Sequence, residues 1–325
     1  MNLTQLINPV TMNNQGISAR SGVHTSVLLL LVAAAALTRQ YWKDSQMEFW
    51  LSSVLIVAAG IPHGALDHFV ARHNRKKFDL TVYIFFYVVC AALYLTLWWF
   101  APGIAFLIFL LITAWHFGET DFSCFADKKG AGLYSFVYGT AITMWLLMQD
   151  KPLLFRWTTL ITGDNQTALS AVSRLAVVPV YTWFLLLCLI LFLVGENRRE
   201  YLRVKIPFLL FVLCLGQTSL LMGFILYFTG WHSVNALLHI KGSVFRDVEG
   251  KLMLEKALPA TLSATSFLIV MGFMSNGAWL DRFGLPALFI LLSILTVPHM
   301  IEMHRLYTHR SESTRSTGRK TTQAE

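Results

Sequence analysis

The sequence is organised around the stretch Gly60-Ile61-Pro62-His63-Gly64-Ala65-Leu66-Asp67-His68. It places a Pro-His-Gly turn, a carboxylate and a second histidine at the end of an apolar run, 49–59, that carries no charge. An ionisable side chain at membrane depth costs roughly 3 kcal/mol on insertion scales, so such side chains usually have a function. The stretch therefore indicates a membrane helix whose histidine is either a structural hydrogen-bonding group or part of a site.

The composition is that of a membrane protein. Hydrophobic residues make up 55% of the 325-residue chain and charged residues 14%, with a mean hydropathy of +0.56, whereas soluble domains carry about 25% charged residues. The net charge is +8, but the basic residues form short clusters between apolar runs, which is typical of membrane topology signals and not of a nucleic-acid-binding face. The four cysteines have no paired spacing, which argues against a disulfide framework or a Cys-based zinc site.

Apolar runs of about 20 residues, the length of one span, recur along the chain. We predict an all-α, polytopic integral membrane helical bundle of about ten transmembrane helices, with eight as the lower bound. The first run also resembles a signal peptide, but its long polar lead with Arg20 as the only basic residue favours a transmembrane helix. The predicted spans are 25–37, 47–69, 80–100, 103–122, 131–149, 176–195, 204–217, 218–240, 257–275 and 284–306.

The remaining segments complete the predicted domain organisation. We predict one transmembrane domain over 23–306, a disordered polar lead over 1–22 and a disordered basic tail over 307–325. The only long connection is predicted to be a loop over 150–175. No internal repeat is evident.

The distribution of basic residues tests the span map. With a cytoplasmic N-terminus, the cytoplasmic segments hold 20 of the 26 Lys and Arg residues and the outer segments hold six. This bias is the one expected of cytoplasmic loops. It predicts a multi-pass protein of the cell inner (plasma) membrane with both termini in the cytoplasm.

Four histidines share one predicted depth. They lie thirteen to sixteen residues into four spans that run in the same direction, which places them within roughly 5 Å of one another in depth. A shared centre explains this alignment, and unrelated structural histidines do not. His68 points away from this level, and four more histidines lie at span ends, where we interpret them as solvated or interfacial. The aligned residues are His63, His116, His232 and His299; those at span ends are His24, His73, His304 and His309.

Each aligned histidine has a polar neighbour at helical spacing. Asp67 follows His63 by four positions, and a carboxylate or amide follows each of the other three by three positions: Glu119, Asn235 and Glu302. Imidazoles that bind a metal usually donate their other N–H group to a carboxylate or a carbonyl, and neutral imidazole suits Fe, Zn, Cu and Ni. The pattern predicts a metal or haem centre, with the carboxylates as ligands or as partners of the ligands. The alternative is a set of structural histidines.

Several metal chemistries lack their motif. One haem needs fewer histidines than four, and two haems need histidines at two depths in the membrane. The His-rich boxes of membrane di-iron hydroxylases do not occur. The His-Glu-x-x-His motif of zinc proteases is also absent. Transporters favour broken helices with carboxylates or lysines. The remaining class is a mononuclear, mostly histidine centre in the bilayer, with an apolar substrate that enters from the lipid.

Four motifs carry a resemblance to a known family. The sequence resembles the Brp/Blh family of integral-membrane β-carotene 15,15′-dioxygenases, and the resemblance covers roughly 47–306. The motifs are Gly60-Ile61-Pro62-His63-Gly64-Ala65-Leu66-Asp67, Ala114-Trp115-His116-Phe117-Gly118-Glu119-Thr120-Asp121, Trp231-His232-Ser233 and Leu295-Thr296-Val297-Pro298-His299-Met300.

The resemblance implies an enzyme in which Fe²⁺, held by histidines, cleaves the central double bond of β-carotene with O2 to give retinal. It implies His63, His116 and His232 as ligands and a functional link to a retinal-binding opsin. The family's fourth histidine corresponds to Ala236, so the fourth ligand is His239, His299 or absent. This departure leaves a second hypothesis open, a non-catalytic carotenoid- or retinal-binding membrane protein, and a haem electron-transfer protein is a third.

Overall fold

The structure is a computed structural model and describes residues 14–42, 46–121, 130–194, 205–274 and 284–321. Helices make up 88% of it, and the described residues contain no strand, which confirms the all-α prediction. The α-helices are α1 Asn14–Leu37, α2 Arg39–Trp42, α3 Gln46–Leu55, α4 Ile61–Gly64, α5 Asp67–Asn74, α6 Leu80–Phe100, α7 Pro102–Asp121, α8 Ala131–Leu147, α9 Lys151–Thr162, α10 Gln166–Val177, α11 Val180–Val194, α12 Ile206–Leu215, α13 Leu220–Leu226, α14 Ser233–Ser243, α15 Gly250–Met274 and α16 Gly284–Thr321.

Each of the ten predicted spans falls on one or more of these helices. In the described part of the chain, four segments are long and apolar enough to cross a membrane, and two sharply bent helix pairs, α8 with α9 and α10 with α11, raise that number to six. The apolar helices support a membrane protein, and the count of ten stays a prediction. The four segments are Trp50–Asn74, Leu80–Phe100, Pro102–Asp121 and Leu220–Ser243.

The predicted loop over 150–175 was wrong, because helices α9 and α10 occupy it. Oδ1 of Asp150 accepts a hydrogen bond from the backbone N–H of Leu153, and Oδ1 of Asn165 accepts one from that of Ala168. These side chains satisfy backbone donors that a helix start leaves open. Gly163 at φ 61° and the next residue at φ 59° provide the left-handed turn between the two helices.

The ends of the described chain are helical. Helix α1 begins at Asn14, inside the segment predicted as a polar lead, and helix α16 continues to Thr321, inside the predicted tail. Residues 1–13 and 322–325 lie outside the described residues. By its internal packing the chain consists of two compact units, the first formed by 1–63, 141–154 and 178–261, and the second by 64–140, 155–177 and 262–325.

The first unit is held together by large aromatic side chains. Helix α1 packs on α12, and Trp231 stacks on Phe208 with ring centroids 4.4 Å apart. The indole N–H of Trp145 donates a 2.8 Å hydrogen bond to the carbonyl of Val212. The carboxylate of Glu48 accepts a hydrogen bond from the Ser219 hydroxyl, which also caps α13. Packing of these rings and the hydrogen bonds of Trp145 and Glu48 stabilise the unit.

Two π-helical segments, Ile56–Gly60 and Tyr227–His232, pack against each other in the first unit. Single π-turns inside α-helices are rare and occur frequently at functional sites. A Cβ atom at Gly60 would lie 2.8 Å from the ring of Phe228. The glycine therefore permits the close approach that brings the end of the second segment beside the start of α4.

In the second unit, helix α16 packs on α5, α6 and α7. The indole N–H of Trp98 donates a 2.8 Å hydrogen bond to the hydroxyl of Ser293, which joins α6 to α16. Helices α7 and α8 approach so closely that a Cβ atom at Gly118 would overlap the backbone carbonyl of Ser135. Small residues allow this kind of backbone contact between membrane helices, and here it fixes α7 at the level of His116.

Candidate metal centre

Each compact unit brings two of the predicted histidines together. His116 and His299 lie in the second unit, and His63 and His232 lie in the first. All four side chains are buried. Within the second unit, a Cβ added at Gly64, the residue after His63, would lie 3.9 Å from Nδ1 of His299.

The side chains that pair in each unit are all imidazoles. A donor set of neutral imidazoles selects a transition metal over Mg²⁺ or Ca²⁺. In their donor chemistry, the histidines present therefore fit the metal ion that the sequence predicted.

Asp67 supports this interpretation of His299. Its Oδ1 lies 2.7 Å from Nδ1 of His299, and both side chains are buried. A carboxylate on one ring nitrogen fixes the tautomer that leaves the other nitrogen free to bind a metal. The sequence assigned Asp67 to His63 by helical spacing, and the structure assigns it to His299.

His116 lies beside His299 in the second unit. Their ring centroids are 4.9 Å apart and their planes are nearly perpendicular, at 87°. His116 is 2% exposed and comes from α7, which carries no charged residue before Glu119. Burial among apolar side chains keeps water away from the imidazoles and makes an interaction with a metal ion stronger than in bulk solvent.

His232 lies beside His63 in the first unit. The two ring centroids are 5.7 Å apart, at an angle of 87°, and His232 is fully buried. Phe228 touches both rings: it stacks on His232 at 5.8 Å and meets His63 edge-on at 5.6 Å. The π-helical segment that ends at His232 thus supplies both an imidazole and the aromatic ring that orients it.

The other predicted site residues lie elsewhere. The carboxylate of Glu119 is 2.6 Å from Nδ1 of His304, so its hydrogen bond goes to a histidine interpreted as interfacial and not to His116. The buried Glu302 binds Arg75 through two hydrogen bonds, of 2.6 and 3.0 Å. His239 and Asn235 lie on α14 and are half-buried.

Sequence reasoning missed Tyr87, Arg75 and Phe228. Tyr87 contacts Asp67 through its hydroxyl. A signal for it exists in the sequence, because the hydroxyl-bearing residues Tyr83, Tyr87 and Tyr94 recur at i, i+4 and i+11 on one face of an otherwise apolar helix.

The helices and the buried histidines together define an integral membrane protein of helical architecture with a candidate transition-metal centre. The chain belongs to the β-carotene 15,15′-dioxygenase family, whose sequence model matches residues 54–307. The β-carotene 15,15′-dioxygenase of the uncultured marine bacterium 66A03 is 26% identical over 259 residues, which cover 78% of this chain and 91% of that relative. No solved structure matches the chain. The family resemblance predicted from the four motifs is confirmed.

Proposed function

We propose that this protein is an iron-dependent dioxygenase that cleaves the central double bond of β-carotene, or of a related carotenoid, to give retinal. The observation that carries the proposal is the buried pair of His116 and His299, with Asp67 on Nδ1 of His299, inside the region that matches the family. The reaction balances with one O2 per polyene. The carbon–carbon double bond and the oxygen–oxygen bond break, and each half of the polyene leaves as an aldehyde with one oxygen atom.

His116 and His299 would hold Fe²⁺, and His63 and His232 are the further proposed ligands, because the sequence places all four histidines at one depth. His239 is the less favoured fourth ligand, since it is seven positions further along and about 10 Å along the helix axis. The iron, when bound, supplies the activation of O2 toward the polyene. Asp67 holds Nδ1 of His299 and thereby directs its other nitrogen to the metal.

The surroundings of the histidines suit an apolar substrate. His63, His116 and His299 are each at most 5% exposed, and the helices that carry them present many apolar side chains at their outer surface. A carotenoid dissolved in the bilayer can reach such a site without crossing water. Exclusion of water also protects the reaction from competing chemistry.

The proposal includes the location and the fate of the product. The protein lies in the cell inner (plasma) membrane, surrounded by lipid, with both termini in the cytoplasm, as the basic residues predict. Retinal released there is available to a retinal-binding opsin. Fusions of a reporter that works only in the cytoplasm to each terminus test the orientation, and an inactive reporter at either end contradicts it.

Expression in a β-carotene-producing bacterium tests the activity. We expect loss of β-carotene and appearance of retinal, both measured by chromatography. The control His116→Ala, with its membrane insertion verified by immunoblotting, is expected to give no retinal. Metal analysis of the purified protein is expected to show about one iron per chain. An inserted wild-type protein that leaves the pigment unchanged and forms neither retinal nor a shorter aldehyde contradicts the proposal.

One observation favours a second function. Ala236, the position at which the family resemblance implies a further histidine, is fully buried one turn after His232 and offers no ligand atom. A non-catalytic carotenoid- or retinal-binding protein would fit this change. In that case the wild-type protein co-purifies with carotenoid and makes no retinal, whereas Ala236→His forms retinal. Retinal from the wild-type protein excludes this alternative.

A further inference from the structure

Tyr87 on helix α6 reaches toward the candidate centre from a third helix. Its hydroxyl lies 3.3 Å from Oδ2 of Asp67 on α5 and 3.4 Å from the carbonyl of Leu295 on α16. Leu295 precedes His299 by one helical turn. The hydroxyl has one proton, and the charged carboxylate is the stronger of the two acceptors. We therefore assign the hydrogen bond of Tyr87 to Asp67.

The two oxygens of Asp67 are divided between two partners. Oδ1 binds the imidazole of His299 at 2.7 Å and Oδ2 faces Tyr87. The terminal torsion of an aspartate is broad and roughly two-fold, so a single partner leaves the carboxylate free to rotate. A partner on the second oxygen restricts that rotation and keeps Oδ1 directed at Nδ1 of His299.

We propose that Tyr87 is a positioning residue for His299. It acts through Asp67 and sets the direction in which the second nitrogen of His299 meets a metal ion. The inference deepens the proposed function and rests on it, because it requires His299 to bind a metal ion. The hydrogen-bond chain Tyr87–Asp67–His299 lies within one compact unit of the fold. No other tyrosine in the described part of the chain donates a hydrogen bond to Asp67.

Helix α6 provides a matched control. Tyr94 lies about two turns from Tyr87 on the same helix, and its hydroxyl donates a 2.8 Å hydrogen bond to the carbonyl of Ala105. Tyr94→Phe removes one tyrosine hydroxyl and one hydrogen bond, as Tyr87→Phe does, but it leaves Asp67 and His299 untouched. Any difference in metal binding between the two variants reports on the hydrogen-bond chain from Tyr87 through Asp67 to His299.

Metal binding is the readout, measured without turnover. Purified protein in detergent is stripped of metal and titrated with Co²⁺, whose visible absorption bands report both affinity and ligand geometry. We expect Tyr87→Phe to weaken binding about fivefold to tenfold and to shift the bands. The loss is smaller than the roughly 10–100-fold cost of changing a direct partner of a metal ligand, because Tyr87 contacts Asp67 and not His299. Tyr94→Phe is expected to retain the wild-type affinity and spectrum.

A double-mutant cycle tests whether Tyr87 acts through Asp67. We expect Tyr87→Phe to have little effect in an Asp67→Asn background, because the carboxylate that it orients is gone. If the two substitutions weaken Co²⁺ binding independently, so that their fold-changes multiply in the double variant, the proposed action of Tyr87 through Asp67 is overturned. Wild-type affinity and spectrum in Tyr87→Phe, or an equal loss in Tyr94→Phe, overturn the assignment of Tyr87.

The same titration separates this inference from the proposed function. Wild-type protein that binds no metal overturns both. Tight wild-type binding with an unchanged Tyr87→Phe variant overturns the role of Tyr87 alone. Thermal unfolding of the metal-free variants is measured in parallel, and equal melting temperatures of Tyr87→Phe and Tyr94→Phe support a specific effect on the metal.

Discussion

Oδ1 of Asp67 and Nδ1 of His299 are 2.7 Å apart although 232 positions separate them in the chain. This contact joins the first of the four family motifs to the last, and it lies within the second compact unit. It pairs a buried carboxylate on α5 with a buried imidazole on α16, so that Oδ1 of Asp67 and Nδ1 of His299 each have a hydrogen-bond partner.

Asp67→Asn is expected to weaken metal binding about 10–100-fold, because a neutral amide polarises His299 less than a carboxylate does. Co²⁺ titration of the purified protein measures the change. Asp79→Asn serves as the control: Asp79 caps α6 by accepting the backbone N–H of Val82, and Asn caps helices equally well. Equal affinities of Asp67→Asn and the wild-type protein would remove Asp67 from the site.

Arg75→Ala is expected to lower stability by about 3 kcal/mol, because among the described residues it leaves the fully buried Glu302 with Arg305 as its remaining cationic partner. Thermal unfolding in detergent measures the loss. Glu255→Gln breaks an exposed pair with Lys251 at 3.8 Å and is expected to change stability by less than about 0.5 kcal/mol. A similar small change for Arg75→Ala would show that Glu302 tolerates the loss of its main partner.

Gly118→Ala is expected to destabilise the protein by about 2 kcal/mol and to lower retinal yield, because the added methyl group overlaps the Ser135 carbonyl and separates α7 from α8. Gly132→Ala is the matched control on α8. Its added Cβ meets the ring of Trp115 at 3.6 Å, an ordinary contact, so the helix gains up to about 1 kcal/mol. If both variants unfold at the wild-type temperature, the close approach at Gly118 is not needed.

Phe228→Leu is expected to weaken Co²⁺ binding about fivefold, because the ring that contacts both His63 and His232 is lost and each aromatic contact contributes about 1 kcal/mol. Phe192→Leu, a change on the exposed surface of α11, is expected to leave binding unchanged. Unaltered affinity in Phe228→Leu would show that the histidines keep their orientation without the ring.

Much of the fold follows from the sequence because membrane helices satisfy their own backbone hydrogen bonds. Apolar length alone therefore located helices such as α6 and α7 to within about two residues. The region 150–175 is different. Its helices depend on caps at Asp150 and Asn165, which are local polar contacts that a hydropathy argument does not include.

The sequence by itself determined that the chain is a helical membrane protein, and it predicted that His63, His116, His232 and His299 lie at one level. The depth of a residue in the membrane depends only on its distance along the helix axis, and this distance follows from counting residues from the start of the span. Which carboxylate meets which histidine is set by the rotation and neighbours of each helix, and these depend on packing. Only the tertiary structure decided that Asp67 serves His299, that Glu119 serves His304, and that Tyr87 reaches Asp67 from another helix.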